Sequence, residues 1–136
     1  MEKLKVLVNC SNHPSSRWSN EQKKGWDVII DIPFPDVPPD LDTDSPEYQD
    51  ILNDTKEKII KAFAHAPVPA GTDFQEYLML QGEFSLCYSL FKSRNINFPG
   101  VIFVIPTTER IAEEIIKPDG TIEKKTIFKF VKWRFI

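Results

Sequence analysis

Short runs of β-branched and apolar residues alternate with helix-forming segments along this chain, and that alternation leaves few folds open to it. Leu4-Lys5-Val6-Leu7-Val8 predicts a short buried strand, and Asp27-Val28-Ile29-Ile30-Asp31-Ile32 a second. Phe74 to Leu80 predicts a third. Val101-Ile102-Phe103-Val104-Ile105 predicts a fourth, hydrophobic enough to lie centrally. Helix signals fall between them. Ser19 reads as an N-cap with Gln22 as its capping-box partner, and this short helix ends near Gly25. Ser45-Pro46 opens a longer helix, with Tyr48, Ile51, Leu52, Thr55, Ile59 and Phe63 along one face. Phe84 to Phe91 suits a buried helix. Ala112–Ile116 and Thr121–Phe135 flank Pro118-Asp119-Gly120, a hairpin signal.

The pattern predicts a single domain over residues 1–136. Its fold class is Rossmann-like α/β: a mainly parallel sheet, helices on both faces, and a C-terminal antiparallel β-hairpin at one edge. The segment 33–46 lies outside this pattern, because Pro33, Pro35, Pro38 and Pro39 break it.

Charge and cysteine usage narrow the function classes. The net charge is −3, which argues against a general nucleic-acid coat. The charge is uneven: residues 31–57 carry nine acids and one Lys, whereas residues 117–136 carry six bases and two acids. No apolar run is long enough to span a membrane. Cys10 and Cys87 form neither a disulfide framework nor a metal spacing, so a reducing cytoplasm is the expected setting.

Ligands of open α/β sheets bind beyond the carboxyl ends of the strands. Loops are expected there at 9–18, 33–44, 81–84 and 106–110. The first holds Asn9, Ser11, Asn12, His13, Ser15, Ser16, Arg17 and Trp18; the third holds Gln81, Gly82 and Glu83; the fourth holds Thr107, Thr108, Glu109 and Arg110. Hydroxyls, amides and two arginines suit an anionic, phosphate-bearing ligand. Trp18 offers a ring for stacking on a base, against the plainer reading that it is core. His13 is the one imidazole in these loops, the side-chain type that exchanges protons near neutral pH. Asn12-His13-Pro14 equally makes an ordinary turn, and Glu83 equally serves as a helix-dipole partner.

Motifs for phosphate-cradling loops, zinc proteases and nucleophile elbows are absent. No metal site and no cofactor are expected. Cys10 and Arg17 in one loop come near the thiolate–arginine arrangement of low-molecular-weight tyrosine phosphatases. The spacing is one residue too long, and Pro14 removes an amide hydrogen that such a loop needs.

The loop Asn9 to Ser16, the turns Gln81-Gly82-Glu83 and Thr107-Thr108-Glu109-Arg110, and the closing Phe130-Val131-Lys132-Trp133-Arg134 together resemble small standalone proteins of type III CRISPR loci. These are related to the CARF (CRISPR-associated Rossmann-fold) domains. The acidic loop at 33–46 departs from the compact members. The resemblance implies a homodimer that binds cyclic oligoadenylate and, in the ring-nuclease type, cleaves it without metal. It implies catalytic roles for His13 and Arg17. Ser11, Asn12, Ser15 and Ser16, with Asn9 and Trp18 in the same loop, would hold phosphate, ribose or base. Gln81, Gly82 and Glu83 would meet adenine edges or ribose, and Thr107, Thr108 and Arg110 the facing phosphates. Alternatives are a sensor without turnover and an RNA- or protein-binding accessory using the basic, aromatic last strand.

Overall fold

The computed structural model describes residues 3–136, so the first two residues of the expected domain lie outside it. The strands are β1 (Leu4–Ser11), β2 (Val28–Ile32), β3 (Phe74–Gln81), β4 (Ile102–Ile116) and β5 (Ile122–Phe135). The helices are α1 (Asn20–Lys23), α2 (Pro46–Ala64), α3 (Phe84–Lys92) and α4 (Arg94–Asn97), with one 3-10 turn at Ser15–Arg17. The fold is α/β. One five-stranded sheet runs in the order β2-β1-β3-β4-β5. The first four strands are parallel and the β4–β5 pair is antiparallel, with β5 at the edge.

Period-two burial divides the sheet into two faces. Val6, Val8 and Cys10 of β1, Leu78 of β3 and Phe103 of β4 point to one face. They meet Tyr48, Leu52, Ile59 and Phe63 of α2 and Leu86 and Leu90 of α3. The caps expected for α2 are present: Pro46 occupies its first turn and the Ser45 hydroxyl accepts from the Tyr48 amide. Tyr48 also ties α2 to α3 through Ser85 and Ser89 at 3.3 and 3.1 Å.

The opposite face carries Leu7, Tyr77, Met79 and Val104. Only the four-residue α1 and the 3-10 turn serve it, so the expectation of helices on both faces holds in full for one face alone. An aromatic cluster makes up the cover. Trp18 and Trp26 each lie within 5.5 Å of Trp133, which reaches across from β5 and donates to the Gln22 carbonyl. Trp133 thus substitutes a strand-borne indole for a missing helix.

Two expectations are corrected. Residues 9–11 are strand, because β1 runs on beside β3 as far as the Ser11–Gln81 pair. Residues 106–110 are strand too, so the loop expected there does not exist and the hairpin's first strand is β4 itself. Pro106 is tolerated because of its phase. Ile136 donates to the Phe103 carbonyl, and strand alternation then turns the Pro106 nitrogen away from β5. On that side the pairing of β3 with β4 covers only Tyr77–Ile102 and Leu78–Phe103. The missing N–H costs no ladder bond.

Beyond this point β4 and β5 leave the body as a two-stranded arm. A bulge at Thr107/Thr108 marks the departure.

Candidate functional site

The chain moves outward from β1 to β2, then returns past β1 to β3 and β4. The direction of winding therefore reverses between β1 and β3, and a crevice opens beyond the carboxyl ends of those two strands. Ser11 and Gln81 stand side by side at its floor.

A cleft of about 480 Å³ occupies this place, lined by His13, Arg17, Trp18, Gln22, Met79, Gln81, Pro106, Thr108 and Phe128. Five of the expected residues meet there: His13, Arg17, Trp18, Gln81 and Thr108. Gln22, Met79, Pro106 and Phe128 were not expected. Phe128 was legible only as part of an aromatic last strand. It reaches the cleft because β5 pairs it with Arg110, whose guanidinium lies 5.6 Å over its ring. Phe128 is 65% exposed, and the ring face away from Arg110 is open to a stacking partner.

The loop that presents His13 is braced from beneath. Asn9 and Ser11 are buried. The Asn9 amide donates to the His13 carbonyl at 2.9 Å and to Asp31 Oδ1 at 3.0 Å. Ser11 Oγ donates to Asn9 Oδ1 at 2.6 Å and accepts from the His13 amide at 3.1 Å. Trp18 Nε1 donates to the same His13 carbonyl at 3.0 Å. Asp31, at the end of β2, accepts from the Ser15 amide and from Ser15 Oγ. The backbone of His13 is held at both its amide and its carbonyl, and its exposed ring faces the cleft. Buried, fully bonded networks of this kind hold a loop in one geometry.

Other expected residues lie elsewhere. Asn12 and Ser16 are exposed on the loop's outer side, outside the cleft lining. Trp18 is largely buried, packed on Trp133, so it acts chiefly as core. Glu83 caps α3, accepting from the Ser85 and Leu86 amides and from Ser85 Oγ. Those bonds lower its pKa. Gly82 is occupied by the Pro-rich loop: the Phe34 ring lies where a Cβ would stand. Thr107 bonds the Lys132 carbonyl from the far face of the arm, and Arg110 sits one step beyond Thr108.

The electrostatics of the cleft differ from those of the chain. Among the described residues no carboxylate lines it. Asp31, at the end of β2, and Glu83, at the start of α3, are engaged in hydrogen bonds to the backbone. Among the described residues Arg17 has no carboxylate partner. A free guanidinium, an imidazole, two amides and a hydroxyl make an anion-receptive surface inside an acidic protein.

Cys10 faces the other side of the sheet, in the core with α2 and α3. Burial pushes its thiol up to about 12. The phosphatase-like reading needs a thiolate beside Arg17, and the two residues are on opposite faces. Among the described residues no group of His, Cys, Asp or Glu gathers as a metal site, and no helix is long and apolar enough to cross a membrane.

A larger cavity, about 620 Å³, lies at the other end of the sheet between the close of α2 and the start of β3. Its walls are mainly Ile60, Phe63, Val68, Phe74 and Phe98. Glu76 is the one ionisable group there, and burial raises its pKa. No His, Lys or Arg lines it among the described residues, so the groups suited to a phosphate-bearing ligand are in the smaller cleft.

The fold and cleft define an α/β protein with an anion-receptive crevice at the reversal of its parallel sheet. The family model described as Uncharacterized protein MJ1673 family matches residues 5–134. The chain belongs to that family. No curated protein and no solved structure matches it.

Proposed function

We propose that the domain is Rossmann-like in the functional sense and binds a phosphate-bearing adenine oligonucleotide, specifically a cyclic oligoadenylate, in the cleft between β1 and β3. One observation carries the reading. His13 and Arg17 from the loop after β1, Gln81 from the end of β3 and Thr108 from β4 converge on one cleft that holds no carboxylate among the described residues and has an exposed ring at its rim. The cleft volume falls in the range of small-ligand sites, roughly 300–1,000 Å³. Arg17 pairs with phosphate, Gln81 and Gln22 bond base edges or ribose, and Phe128 stacks on a base, each in keeping with its chemistry. The resemblance to CARF-type proteins supports the ligand class and a cytoplasmic setting.

Cleavage in the same cleft would proceed by attack of a ribose 2′-oxygen on its own 3′-phosphorus. The P–O5′ bond breaks, leaving a 2′,3′-cyclic phosphate and a 5′-hydroxyl. His13 accepts the 2′-hydroxyl proton or delivers one to the departing oxygen, and Arg17 balances charge on the phosphoryl oxygens. A second reading, binding without turnover, draws on the fact that among the described residues His13 is the only general acid–base side chain lining the cleft.

The test is incubation with cyclic tri-, tetra- and hexa-adenylate in EDTA, followed by chromatography with mass detection and by calorimetric titration. A linear product ending in a cyclic phosphate is expected. Arg17→Ala should weaken binding about tenfold or more, as loss of a charged hydrogen bond does, and His13→Ala should abolish turnover while the ring still binds. Binding without product selects the sensor reading. No binding of any ring overturns the ligand class.

A further inference from the structure

At the amino-terminal end of the sheet one residue breaks the pattern of its strand. Phe74, Glu76, Leu78 and Leu80 alternate along β3 towards the layer of α2 and α3. Phe74, Leu78 and Leu80 pack in that core. Glu76 puts a carboxylate in the same row. Its register partner on β1 is Val6, which is shut away from water. On its other side no strand runs, since the pairing of β3 with β4 begins at Tyr77–Ile102. The cavity of about 620 Å³ occupies that place, with Glu76 in its wall. Among the described residues no ion pair and no side-chain hydrogen bond reaches the Glu76 carboxylate. Lys3, at the same end of the sheet, is paired with Asp73 at 3.6 Å.

The rest of the wall suits a cation with an apolar body. Phe63, Phe74 and Phe98 contribute rings, and the faces of such rings attract ammonium groups. Pro69 and Pro99 bring backbone carbonyls and no amide hydrogens, which tilts the rim towards acceptors. We propose that this cavity binds a small organic monoamine, its ammonium group on the Glu76 carboxylate and its apolar body among Phe63, Val68, Phe74 and Phe98. One carboxylate sets the occupant's charge at one. A polyamine would carry further ammonium groups against apolar walls, and a metal ion would find a single ligand. The volume lies within the range of small-ligand sites. Burial raises the pKa of Glu76, as it does for a carboxylate short of a counter-charge, and an ammonium group supplies one. The cavity shares no lining residue with the cleft beyond β1 and β3, so amine binding here neither requires nor excludes a nucleotide there.

The test is a nuclear magnetic resonance titration of the intact chain, methyl-labelled at Ile and Val. Benzylamine, phenylpropylamine and cyclohexylmethylamine are the amines; phenylpropanol and phenylpropanoate are the uncharged and anionic counterparts. Saturable shifts of the Ile60, Val68 and Val101 methyls are expected with the amines. Phenylpropylamine should bind about tenfold or more tightly than phenylpropanol, as a hydrogen bond to a charged group does, and phenylpropanoate should cause no shift. Glu76→Gln sheds a desolvated charge, so it should melt at or above the wild-type temperature and should bring the amine down to the affinity of the alcohol. Equal affinity of amine and alcohol for the wild-type chain overturns the proposal without recourse to any variant. So does the absence of shifts with all three amines, and so does a folded Glu76→Gln chain that still prefers the amine.

Discussion

The body and the arm share the strands β4 and β5 and stand on different physical footings. In the body, Val6, Leu7, Val8, Ile59, Leu78, Leu86 and Leu90 are shut away from water. Between Thr108 and Phe128 no side chain is buried. The body is held by apolar burial at about 1.5–3 kcal/mol per large side chain. The arm is held by its ladder and by cross-strand pairs such as Glu113–Lys125 and Glu114–Lys124, each worth about 0.2–1 kcal/mol. One β-strand can therefore pass from a core that tolerates little change to a ribbon that tolerates much, with Pro106 and the bulge at the boundary.

The widest gap should appear on truncation. Leu78→Ala should cost about 3 kcal/mol of unfolding free energy, whereas Ile122→Ala should cost under about 0.5 kcal/mol in the monomer. Urea denaturation of both variants measures the contrast, and equal losses would show that the arm shares the body's core. An intermediate effect belongs to Gly82→Ala, whose new methyl displaces the Phe34 ring and should cost about 1–3 kcal/mol. Adding Phe34→Ala should then cost less than it does in the wild type, a coupling that a double-mutant cycle reads directly.

The smallest effect concerns pH. The bonds from Ser85 and Leu86 lower the folded-state pKa of Glu83 beneath its ordinary 4.5. A carboxyl lowered by folding stabilises above its unfolded pKa, and that stability is lost as pH falls through the folded value. Glu83→Gln should therefore lower the melting temperature slightly at neutral pH and make no difference at the acid end of the profile. A uniform loss at every pH would show that the cap acts through shape and not charge.

Much of the body was legible because its signals are local. Ser45-Pro46, the apolar stripe of α2 and the β-branched runs of β1 and β2 each announce their element within a few residues. The continuation of β4 was not legible. Pro106 reads as a break in sequence, and only the pairing partner decides which way its nitrogen points. The cleft was legible in part for the same reason. His13, Arg17, Gln81 and Thr108 follow from strand ends, a rule of topology. Phe128 depends on the register of a long hairpin, with a bulge in it, and no local pattern encodes that. The burial of Asn9 and Ser11 went unseen because β1 runs past Val8 to pair with Gln81.

Cys10 sits in the layer between the sheet and α2, fully shielded, with a thiol pushed up to about 12. A thiol in that state meets an alkylating reagent only when the helical layer lifts from the strands. The rate at which Cys10 is capped under native conditions is thus a clock for that opening, carried by the natural sequence. Cys87, partly exposed on α3 and packed against the same core, offers a second clock in that layer. Their ratio would report whether the helices leave the sheet together or one at a time.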